Sequence, residues 1–64
     1  MTKEELIAEM DEVSEKMHNL SVSMQYCAGF DNEMIEKSQQ LKGASSMLAE
    51  WAEYLQERVE DDKN

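Results

Sequence analysis

Apolar residues recur every three or four positions along most of this chain, which is the spacing of amphipathic helices. A first series fits the a and d positions of a coiled-coil heptad and comprises Leu6, Met10, Val13, Met17 and Leu20. Thr2 and Glu5 precede it with the spacing of a capping box. The pattern therefore predicts a helix that begins near Thr2. Basic residues favour the C-terminal end of a helix, so Lys16 and His18 place its end near residues 18–19.

The stretch from residue 20 to residue 27 has two interpretations, and the choice between them decides the fold. In the first, alternate residues share one face of a half-buried β-strand, namely Leu20, Val22, Met24 and Tyr26. In the second, Met24 and Cys27 extend the heptad, and the first helix continues to Ala28. Serine is a mediocre helix former, and valine and tyrosine favour strands. The residues alone leave both interpretations open.

The strand interpretation has a consequence for assembly. A single strand leaves its backbone donors and acceptors unpaired and is not stable in water, so its natural partner is the same strand of a second chain. The expected fold is mainly α, a helix–strand–helix chain that forms an intertwined homodimer with an intermolecular two-stranded antiparallel sheet. The alternative is an all-α helical hairpin dimer. The predicted dimer interface consists of Leu20, Val22, Met24, Tyr26, Leu41 and Leu48.

A second helix is predicted after a break at Gly29. Asp31 is its expected N-cap, and Phe30 and Ile35 have the spacing of a hydrophobic staple. Gly43 costs about 1 kcal/mol in a helix interior relative to alanine, which predicts a close approach by another backbone there. The apolar side chains of this helix repeat every seven residues at Met34, Leu41, Leu48 and Leu55.

The length of the chain points to a single small domain, 1–64, in which 60–64 is expected to be a disordered acidic tail. A chain of 64 residues buries only about 60% of its unfolded surface, so a monomer is marginal. One cysteine leaves no intrachain disulfide, and oligomerisation is the remaining source of stability. The lone cysteine also indicates a reducing compartment, which predicts a cytoplasmic location.

Charge narrows the classes of partner. Fifteen Asp and Glu against six Lys and Arg give a net charge of −9, which repels nucleic-acid backbones and anionic lipid surfaces. We therefore expect no direct contact with nucleic acid. No apolar run approaches the roughly 20 residues that a membrane span requires, so no membrane association is expected.

No combination of nucleophile, base and orienting group can be assembled from the sequence, so we expect neither enzymatic activity nor a cofactor or metal. Tryptophan is enriched at interface hot spots, and methionine lines adaptable binding surfaces. One group of such residues on adjoining turns of the second helix is the predicted partner-binding site: Met47, Trp51, Tyr54 and Leu55. Two roles remain open for this group. It either forms the core of a dimer or lines a cleft that accepts an amphipathic helix.

Three short segments carry a resemblance: MQYCAGFD at 24–31, LKGA at 41–44 and EWAE at 50–53. In their order and spacing they resemble the small acidic early proteins of lambda-like temperate bacteriophages, from the region between the recombination exonuclease and excisionase genes. The resemblance implies a helix–strand–helix dimer in the host cytoplasm that promotes lytic development. The expected function is thus a non-enzymatic early protein that binds a host protein through an apolar cleft. The alternative is an acidic DNA mimic that inhibits a nucleic-acid-binding protein.

Overall fold

Two antiparallel α-helices form the chain, which a computed structural model describes over residues 1–62. Helix α1 spans Lys3–Ala28 and helix α2 spans Asn32–Asp62. They pack side by side as a hairpin that measures 52 × 15 × 13 Å. Because α2 reaches Asp62, only 63–64 of the predicted acidic tail lie outside the described residues.

The predicted helix–strand–helix fold is wrong, because residues 20–27 belong entirely to α1 and residues 1–62 contain no strand. The intermolecular sheet, and the intertwined homodimer built on it, therefore have no strand to form them. The helical hairpin of the alternative interpretation is confirmed. A continuous helix satisfies its own backbone hydrogen bonds, whereas a lone strand cannot. Ser21, at the centre of the contested stretch, is buried between the helices, and its hydroxyl donates to the His18 carbonyl at 2.6 Å.

Both predicted helix starts are confirmed. The Thr2 hydroxyl accepts from the Glu5 amide at 3.1 Å, as the N-cap of a capping box does, and it also donates to the Glu5 carboxylate at 3.2 Å. Asp31 Oδ1 accepts from the backbone amides two and three residues later, at 3.1 and 3.2 Å. The predicted hydrophobic staple is wrong, because the Phe30 side chain is 101% exposed and so contacts no neighbour.

The connection between the helices is a tight turn. The Asp31 amide donates to the Ala28 carbonyl at 3.0 Å, and Gly29 has φ 59° and ψ −117°. These angles belong to the first central position of a type II′ turn, which glycine dominates because it has no Cβ. The glycine at position 29 therefore allows the chain to reverse its direction immediately after α1.

The interface between the helices, here called the seam, is built from small buried residues. They recur every seven positions in each helix: Ile7, Ser14, Ser21 and Ala28 in α1, and Ser38, Ser45, Ala52 and Val59 in α2. Half-buried methionines and leucines alternate with them: Met10, Met17, Met24, Leu41, Leu48 and Leu55. Each buried serine hydroxyl donates to the carbonyl three residues earlier, at 2.6 to 2.9 Å. Small side chains let two helices approach closely, so the seam is narrow.

The apolar part of the core lies at the open end of the hairpin, opposite the turn. Here Ile7 packs with Ala52 and Val59, and Met10 and Leu55 cover them. We call these five residues the open-end cluster. The turn holds the helices together at one end of the hairpin and this cluster holds them at the other.

The two glycines should respond in opposite directions to alanine. Apart from the neighbouring backbone of α2, no atom lies within 4 Å of a Cβ built on Gly43. The predicted close approach by another backbone is therefore wrong, and Gly43→Ala should stabilise the protein by about 0.5–1 kcal/mol. Gly29→Ala should destabilise it by about 1–3 kcal/mol, because its φ of 59° strains any side-chain-bearing residue. Thermal melts of the two variants beside the parent test both signs, and equal effects would contradict them.

Candidate functional site

The hairpin exposes a row of large apolar side chains on one side of the seam. Four of these side chains immediately precede a buried seam residue, a position that lies on the same side of the seam in both antiparallel helices, and the other two lie one helical turn from one of the four. The exposed members of this surface, which we call the apolar flank, are Leu6, Val13, Leu20, Met47, Trp51 and Tyr54. Leu6 precedes Ile7, and Trp51 precedes Ala52. Met47 lies one helical turn before Trp51 and widens the row.

The opposite side of the seam is mostly polar. The positions three residues before each buried seam residue point there, and they hold Glu4, Asp11, His18, Gln25, Ile35, Lys42, Ala49 and Gln56. Large exposed apolar side chains are thus concentrated on one side of the rod. Exposure to solvent does not favour such an arrangement, whereas neighbouring exposed apolar side chains are typical of a binding surface.

The surface area of the chain is large for its mass. The accessible surface is 5038 Å², whereas a compact monomer of this mass exposes about 4200 Å². The radius of gyration is 14.9 Å, against about 10.7 Å for a compact domain of this length. The surplus, about 800 Å², follows from the elongated shape of the hairpin, which measures 52 × 15 × 13 Å.

Three of the four predicted partner-binding residues lie on the apolar flank. Met47, Trp51 and Tyr54 are each more than half exposed. Leu55 is instead half-buried as a member of the open-end cluster. The Trp51 side chain is 54% exposed, so it is not sealed between α1 and α2. The hairpin leaves this aromatic side chain available to a second molecule.

The six residues of the predicted dimer interface are distributed over different faces of the hairpin. Met24, Leu41 and Leu48 are half-buried in the seam. Leu20 lies on the apolar flank, and Tyr26 is 87% exposed. Val22 is half-buried away from the flank.

The heptad analysis of the sequence did not separate the seam from the apolar flank. It placed Leu6 and Val13 in one stripe with Met10 and Met17, although only the methionines are half-buried and the other two are exposed. The missing signal was the seven-residue recurrence of Ser14 and Ser21, which marks the seam despite their polarity. A count of apolar residues alone passes over such positions.

A pocket opens at the end of the hairpin that is distant from the turn. It has a volume of about 310 Å³ and is lined by Lys3, Leu6, Ile7, Leu55, Arg58 and Val59. Leu6 also belongs to the apolar flank, so the pocket continues that surface. The Arg58 guanidinium lies over the Tyr54 ring, 5.7 Å from its centroid, which is within the range of a cation–π contact. We call this feature the open-end pocket.

Other kinds of site have little support in the described part of the chain. Residues 1–62 contain no group of three His, Cys, Asp or Glu side chains placed to hold a metal ion. Over the same residues, neither helix combines the length and apolar character needed to cross a membrane. Cys27 is exposed.

Comparison with known proteins does not assign a family to this chain. The functional interpretation depends on the apolar flank, the open-end pocket and the resemblance carried by the short motifs. No protein-family model, curated protein or solved structure matches the chain.

Proposed function

We propose that this chain is a non-enzymatic early protein of a temperate bacteriophage that binds a host protein in the host cytoplasm and promotes lytic development. The observation that carries the binding role is the apolar flank, which places Trp51, Tyr54 and Met47 together and exposed on a rigid pair of helices. The phage context comes from the resemblance of the segments at 24–31, 41–44 and 50–53.

A helix of the partner is the element that best fits this surface. The flank is an apolar strip formed by two rows of side chains, one from each helix. Amphipathic helices bind such strips through anchors spaced three, four and seven residues apart. Trp51 supplies a large amphipathic contact, and Met47 can adapt its shape.

The acidic outer faces support a second candidate, a mimic of nucleic acid. Glu5 and Glu12 lie one heptad apart on the exposed outer face of α1, and Glu50 and Glu57 do the same on α2. Such rows can occupy a basic site of a nucleic-acid-binding protein. Salt separates the two candidates, because binding through carboxylates weakens steeply with ionic strength and binding through apolar anchors changes little.

The expected homodimer stays a prediction. The sheet that was to join the two chains does not exist, so a dimer of hairpins would have to use another surface. The apolar flank holds six of the ten large apolar side chains that are exposed in the described residues, and a second hairpin and a host helix would therefore compete for it.

Removal of the aromatic anchors should abolish the biological effect without unfolding the hairpin. Trp51→Ala and Tyr54→Ala should each weaken binding of the host target by about 2 kcal/mol or more, as hot-spot residues do. Expressed in cells infected with a temperate phage, the parent should lower the frequency of lysogeny and both variants should not. Capture of target from the same cells measures the binding directly.

Tyr26→Ala is the matched control, because it removes the same side chain as Tyr54→Ala from a position away from the flank. Circular dichroism must first show that each variant remains helical. The proposal fails if the control and the flank variants lose activity to the same extent, or if folded flank variants keep full activity. Loss of binding only on neutralising Glu5 and Glu12 would favour the mimic.

A further inference from the structure

We draw no further inference here: the strongest candidate, the apolar flank with the open-end pocket that continues it, belongs to the site already described, and nothing in the described residues shows what covers it.

Discussion

Ala52→Asp should unfold the hairpin. Ala52 is 1% exposed and lies in the open-end cluster against Ile7 and Val59, where a carboxylate has no partner. An uncompensated buried charge costs about 3–5 kcal/mol. A domain of this length has a total stability of about 3–10 kcal/mol, so the variant should lose most of its helix signal at room temperature. Far-UV circular dichroism and a urea titration measure the loss.

Ala49→Asp is the matched control for that prediction. It makes the same change three residues earlier in α2, at an exposed position on the polar side of the hairpin. An exposed substitution of this kind changes stability by about 0.5 kcal/mol or less. Equal destabilisation by both aspartates would show that helix propensity, and not burial in the open-end cluster, decides the outcome.

Replacement of the four seam serines by alanine should raise the melting temperature. Ser14, Ser21, Ser38 and Ser45 are buried, and each hydroxyl donates to a carbonyl of its own helix that the helix already bonds. Alanine leaves no polar group unsatisfied and gains about 0.5 kcal/mol of helix propensity at each site. The combined gain of about 2 kcal/mol corresponds to a rise of about 8–16 °C.

Ser23→Ala separates the contribution of the seam from that of helix propensity. Ser23 is exposed in the middle of α1, so its replacement changes propensity without changing the interface. Calorimetry of the single and quadruple variants gives the effect per site. A fall in melting temperature for the quadruple variant would mean that the hydroxyls contribute to the packing of the two helices, which the hydrogen-bond pattern does not indicate.

Local signals in the sequence predicted where both helices begin, whereas the predicted end of the first helix near residues 18–19 is wrong, because α1 continues to Ala28. Thr2 and Asp31 cap them as expected, because capping depends on a few neighbouring residues. The course of residues 20–27 depends instead on the packing of Ser21 and Met24 against a distant helix. Period-two alternation was a coincidence of the sequence there, since Leu20 and Val22 lie on different sides of one helix.

The sequence identified only part of the apolar flank, for a related reason. Trp51 and Tyr54 stand out by residue type, so the sequence identified them. Leu6 and Val13 complete the same surface from the other helix, and their contribution depends on the antiparallel arrangement of the hairpin.

The tight turn at Gly29 also bears on how fast the protein can form. Every contact between α1 and α2 closes around this one reversal, so contacts can form in sequence from the turn outward, and the search over distant pairings is small. Helical proteins with such local connectivity fold in about microseconds to milliseconds. The time needed to synthesise the chain, and not the time needed to fold it, would then set the delay before the protein is active.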